Sequence, residues 1–201
     1  MRKTPQFFKR QSVREVVNKT LGNSRFVFRP LSIAVTESAN TATTAVNFSF
    51  SSDDQGNLTE TVEAEGRGFI DGLFNGMYQK YEKQYPSLSR IALTNFAVNP
   101  IMSQPRKSLG TDAQASVLFR VEVGNNGPAE FQHQSRSVIH SGFVTTLDAF
   151  QFYINAERAF HKVHFALQDA KSRNRGDTVQ ACIYSLSKLT EVNNYKSRQE
   201  N

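Results

Sequence analysis

Four histidines, one cysteine and a Gly-x-Gly turn are the groups in these 201 residues whose chemistry needs testing first. His133, His140, His161 and His164 are of the side-chain type that serves as a general base near neutral pH. His161 and His164 stand one helical turn apart and can share a metal, but no Asp, Glu or Cys falls at a spacing that completes three or four ligands. Cys182 has no flanking pattern of a nucleophile and reads as a small apolar helix residue. Neither a Gly-x-Ser-x-Gly elbow nor a phosphate-cradling loop ending in Gly-Lys-Ser/Thr occurs. No catalytic set, metal or cofactor is therefore expected, and the chain reads as a non-enzyme.

Gly66-Arg67-Gly68 differs in kind. Two glycines between a strand and a helix let the backbone turn tightly and leave N–H groups at a helix N-terminus, where a ligand carboxylate is favoured. A helix-start turn that needs glycine only for its backbone accounts for the same letters. A dinucleotide is not expected, because the third glycine, the parallel βαβ setting and the downstream ribose acid are missing.

The elements that must hold these groups follow from periodicity. Val13, Val16, Val17 and Leu21, followed by Gly22, predict a short helix. Strands are predicted over 26–36, with Pro30 marking an edge, over 41–50, where Ala42, Thr44, Val46, Phe48 and Phe50 alternate, and over 58–65. Gly66 to Gly68 then open a helix to about Gln84, with Pro86 beyond it. The order repeats: strands over 88–98, 113–123 and 130–139, with the loop 100–110 between the first two, then a helix from Gly142 to about Ala170. Gly68-Phe69-Ile70 with Leu73 mirrors Gly142-Phe143-Val144 with Leu147. The expected fold is α+β, two tandem βββα units related by a pseudo-two-fold axis. A short helix over 179–189 and a polar tail close the chain. Three regions result: 1–25 as a basic arm with a short helix, 26–170 as the domain, and 171–201 as the C-terminal helix and tail.

Charge is unevenly placed. Residues 1–30 hold eight basic side chains against Glu15 alone, whereas the other 171 hold sixteen basic and seventeen acidic ones. The formal charge of +6 thus belongs to the arm, which suits nucleic acid, an anionic membrane, an organellar transit segment or simply a solvated tail. A single cysteine excludes an internal disulfide, and no apolar run reaches the roughly 18 residues of a membrane span. A cytoplasmic location is expected, or an organellar one if the arm is a transit segment.

Five segments carry a family resemblance: Leu31-Ser32-Ile33-Ala34-Val35 with Thr43-Thr44-Ala45-Val46; Glu65-Gly66-Arg67-Gly68-Phe69-Ile70-Asp71-Gly72; Leu93-Thr94-Asn95-Phe96-Ala97-Val98; and Gly110-Thr111-Asp112-Ala113-Gln114-Ala115. In this order and spacing, over about residues 26–165, the chain resembles the C-terminal regulatory domain of 2-isopropylmalate synthase and citramalate synthase, without their catalytic barrel. The resemblance implies a non-catalytic, homodimeric module that binds leucine or isoleucine and modulates a partner synthase. It assigns the effector site to Gly66, Gly68, Ile70 and Asp71 at the first helix start, Phe96 and Val98 on the next strand, and Ala113 and Ala115 beyond the loop; the letter match between the two helix starts adds Gly142 in the second unit. Phe69 replaces the family's usual proline, Gly72 its usual alanine, and the second unit lacks the acid common after its glycine. The alternative is a structural or assembly dimer that has lost its effector and binds an anionic partner through the basic arm.

Overall fold

The computed structural model describes residues 5–52, 58–101, 114–124 and 126–195. In chain order the elements are α1 (Pro5–Leu21), β1 (Phe28–Ser38), β2 (Thr43–Ser52), β3 (Leu58–Gly66), α2 (Phe69–Tyr81), β4 (Ile91–Pro100), β5 (Ala115–Val123), β6 (Ala129–Ser135), α3 (Val138–Ser172) and α4 (Gly176–Thr190). Short 3-10 turns at Gly22–Ser24 and Pro86–Arg90 link α1 to β1 and α2 to β4. The architecture is α+β, with two three-stranded antiparallel sheets, β1-β2-β3 and β4-β5-β6, each followed by a helix. Within the described residues, no helix is long and apolar enough to cross a membrane.

Alternation builds the sheets. On β2, Thr44, Val46, Phe48, Phe50 and Ser52 are buried while most intervening residues face outward; on β5 the same holds for Val117, Phe119, Val121 and Val123. Pro30 has no N–H to give a ladder and lies on the edge strand β1, where the register shifts between Pro30 and Ser32. The second sheet breaks register between Leu93 and Asn95 on its own edge strand β4. The skipped residues, Leu31 and Thr94, each precede by two the residue paired with the central phenylalanine: Ile33 with Phe48, and Phe96 with Phe119.

The central pairings also set the register of the repeat. Phe48 pairs with Val62 and Phe119 with Phe131, and each helix begins three residues after its third strand ends. This makes Gly68 equivalent to Ser137, not to Gly142. Buried positions agree, because Gly72, Leu73, Phe74, Gly76 and Met77 on α2 correspond to Ser141, Gly142, Phe143, Thr145 and Thr146 on α3. The match of letters is therefore five residues out of step with the match of structure. Gly142 is the fifth residue of α3 and does not open it; Ser137 does, its side chain accepting from the backbone N–H of His140 at 3.2 Å. Val138 and Ile139 extend the strand by composition, but this cap draws them into the helix.

Other boundaries also move. α1 begins at Pro5, eight residues before its first periodic valine. α2 stops at Tyr81, short of Gln84, and Pro86 starts the 3-10 turn that takes Leu88 out of β4. β1 and β2 each run two residues past their expected ends, and α4 starts at Gly176. The turn at 53–57 and most of the loop at 100–110 lie outside the described residues.

Aromatic rings join the two units into one core. Phe74 of α2 meets Phe119 of β5 at 5.9 Å and Phe150 of α3 at 5.4 Å, while Phe48 of β2 meets Phe143 of α3 at 5.4 Å. The Tyr78 hydroxyl donates to the Ile91 carbonyl, fixing α2 to the start of β4, and burial pushes that phenol up to about 12. Helix α1 belongs to the same core. Val13, Val16, Val17 and Leu21 are buried, and Arg10 lies over the Phe131 ring at 4.5 Å and donates to the Glu130 carbonyl.

Candidate functional site

The turn from β3 into α2 is held by its own side chains. The Asp71 Oδ2 accepts from the Arg67 N–H at 3.0 Å, the Gly72 N–H donates to the Gly68 carbonyl at 3.0 Å, and Asn75 Nδ2 donates to the Glu65 carbonyl at 2.9 Å. The two glycines have different reasons to be there. A Cβ on Gly66 would overlap the Gly72 backbone nitrogen and lie 2.8 Å from the Asp71 carbonyl carbon, so the chain passes itself too closely for any side chain. Gly68 is the N-cap at φ −167°, an extended conformation open to any residue, and a Cβ there meets nothing within 4 Å. Asp71 brings a negative charge to the helix start, where a carboxylate is best placed.

Beside this turn the structure gathers three of the expected residues. A Cβ on Gly142 would lie 2.8 Å from both Ile70 Cδ1 and Phe69 Cε2. The Phe69 ring is edge-on to Phe96 at 6.5 Å, and Phe96 packs on Phe119 at 5.7 Å. Ile70, Phe96 and Gly142 thus line one seam between α2, β4 and α3, with Phe69 as the ring between them. Val98 continues the Phe96 face, paired with buried Val117, and the two are 40% and 42% exposed. Ala115 lies at the start of β5, paired with Pro100 and Ser135. Ala113 falls outside the described residues.

The histidines separate into two places. The His133 Nδ1 is 3.4 Å from Ser141 Oγ and its ring is 5.7 Å from that of His140; burial, then the neighbouring His140, lower its pKa. His161 Nε2 is 3.6 Å from Glu157 Oε1, while His164 stacks on Phe160. Glu157 is buried and accepts from Ser87 Oγ at 2.6 Å. Among the described residues there is no group of three or more His, Cys, Asp or Glu able to hold a metal. Cys182 is buried on α4.

Periodicity alone overlooked a second feature, on α1 and α3. Asn155 clamps the backbone ahead of β1: its Oδ1 accepts from the Phe26 N–H at 2.8 Å and its Nδ2 donates to the Phe26 carbonyl at 2.7 Å. One turn earlier, Gln151 Oε1 accepts from the Phe28 N–H at 2.7 Å. Outside this clamp opens a crevice of about 280 Å³, lined by Arg14, Val17 and Asn18 of α1, Arg25 to Val27, and Asp148, Gln151, Phe152 and Asn155 of α3. Burial raises the Asp148 carboxyl above the ordinary carboxylate range, against the pull of Arg14 and Arg10. A signal was present: Asp148, Gln151, Phe152 and Asn155 fall at i, i+3, i+4 and i+7, a single helix face with three polar members.

Neither a scan against protein-family models nor a search of curated proteins finds a match to this chain.

Proposed function

We propose that this chain is a non-catalytic regulatory module that works as a homodimer, takes a branched-chain amino acid at the seam between α2, β4 and α3, and modulates a synthase in trans. The observation that carries this reading is the tandem βββα architecture with apolar side chains left half-covered on the inner face of both edge strands: Ile33 and Val35 on β1, Leu93, Phe96 and Val98 on β4. A second copy set against these strands buries them, which is the usual fate of such a face. At the seam, Ile70, Phe96 and Val98 supply apolar walls, and the α2 start supplies the helix-dipole end for a carboxylate. Isothermal titration with leucine, isoleucine and valine, alongside light scattering of the free chain, tests it. Saturable heat with one of the three and a mass of two chains is expected; a monomer that gives no heat with any of them overturns it.

A second reading, a structural or assembly dimer without an effector, is favoured by one specific arrangement. The Phe69 ring lies over Gly142 and against Phe96, and the Asp71 carboxylate already accepts at the helix start, so the chain's own groups stand where a ligand's side chain and carboxylate would go. In this reading the basic N-terminal segment binds an anionic partner. Deleting that segment is no test, because α1 is part of the core. Replacing exposed Arg14 and Lys19 with glutamine keeps the buried face, and loss of a salt-sensitive shift with RNA, DNA or acidic vesicles would identify the partner.

A further inference from the structure

We infer that the crevice between α1 and α3 is a binding site for a free α-amino acid with an apolar side chain, distinct from the seam at α2 and β4. Opposite charges face one space there, with Asp148 on one wall and Arg14 and Arg25 on the other, and this is the pairing a zwitterion needs. The floor between them, Val17, Phe26 and Phe152, is buried and apolar. At about 280 Å³ the space is just under the roughly 300 Å³ at which small-molecule sites begin, and this suits one amino acid better than a nucleotide.

Hydrogen-bonding capacity is left over where the ligand would need it. Two bonds occupy Arg25, from Nε to the Gly22 carbonyl at 2.9 Å and from Nη1 to Asn18 Oδ1 at 2.7 Å, so three of its five N–H groups remain. Gln151 uses its oxygen on Phe28 and keeps its amide N–H groups. Among the described residues, neither Asp148 nor Arg14 has a hydrogen-bond partner, although Asp148 is half-buried. Its carboxylate oxygens keep contact with solvent, the Tyr195 hydroxyl being the unpartnered buried side-chain atom among the described residues, and Arg14, Arg10 and His133 act on its charge. An ammonium group seated between Asp148 and the floor gives that carboxylate a bonded partner. The ligand carboxylate then meets Arg14 and Arg25, and Gln151 can donate to it.

Titration calorimetry of the whole chain with leucine and phenylalanine, and with isovalerate and isopentylamine as single-charge controls, tests the inference. One amino acid is expected to fill the crevice once per chain, shifting the Gln151 and Asn155 amides, and each control to do so at least ten-fold more weakly. Asp148→Asn and Arg14→Gln should each weaken the binding that shifts these amides ten-fold or more, whereas Lys171→Gln at the exposed end of α3 should leave it unchanged. Thermal unfolding checks that each variant is folded, and amide shifts of Gln151 and Asn155 report occupancy directly. No binding by either amino acid, or binding undiminished in both crevice variants, overturns the site. Binding lost only in Phe96→Ala, at the seam, overturns it while supporting the seam as the effector site, so the two readings fail separately.

Discussion

Single atoms separate the roles of Gly66 and Gly68. Gly66→Ala forces a methyl group into the Gly72 backbone and should cost 2 kcal/mol or more, about the upper part of the range for an overpacked site. Gly68→Ser enters open space at an N-cap that has no side-chain bond, and should gain about 0.5 kcal/mol. Urea unfolding of the two variants measures both, and equal effects would refute the steric account. Asp148 offers a test by pH. Burial raises its folded pKa above the unfolded one, so the ionised carboxylate weakens the fold at neutral pH, and the penalty fades as pH falls toward the ordinary carboxylate value. Asp148→Asn should therefore raise the melting temperature at pH 7, by an amount that shrinks on acidification. A group kept at a cost to stability is typical of binding sites.

At the scale of elements, the clamp from α3 to the start of β1 contributes more than its two residues suggest. Asn155→Leu leaves the Phe26 N–H and carbonyl buried without partners, and at roughly 1–3 kcal/mol each the loss should reach about 2–6 kcal/mol. Hydrogen exchange should show residues 26–28 opening first in that variant. What was legible in the sequence follows the physics of each element. The alternation along β2 and the long apolar face of α3 were readable because one face of each is buried at a fixed period. The start of α3 was not, because Val138 and Ile139 have strand composition and the deciding contact is one serine cap. The clamp was not either, since its partners lie 129 residues apart in the chain. Of the expected site residues, Ile70, Phe96 and Gly142 do converge; the letter match that points to Gly142 is out of register with the repeat, and Gly142 reaches the seam from inside the helix.

On the scale of the whole molecule, the basic N-terminal segment is not an appendage. Four buried apolar side chains of α1, each worth about 1.5–3 kcal/mol, approach the 5–15 kcal/mol stability of a typical domain. Removal of residues 1–21 should abolish cooperative thermal unfolding, and a truncated chain that still melts sharply would show α1 to be dispensable. Part of the positive charge is likewise internal. Arg10 is pushed down to about 10, first by burial and then by Arg14, and is bonded to the Glu130 carbonyl of β6. Fewer cations thus remain available to an anionic partner than the formal charge of +6 suggests.

Helix α3 is continuous for 35 residues, and it walls both the seam, through Gly142, and the crevice, through Asp148 to Asn155. Asp148 lies six positions after Gly142, about 9 Å along the axis of one rod. One rod therefore backs both places, and a rigid-body shift of α3 would carry Gly142 and Asp148 together.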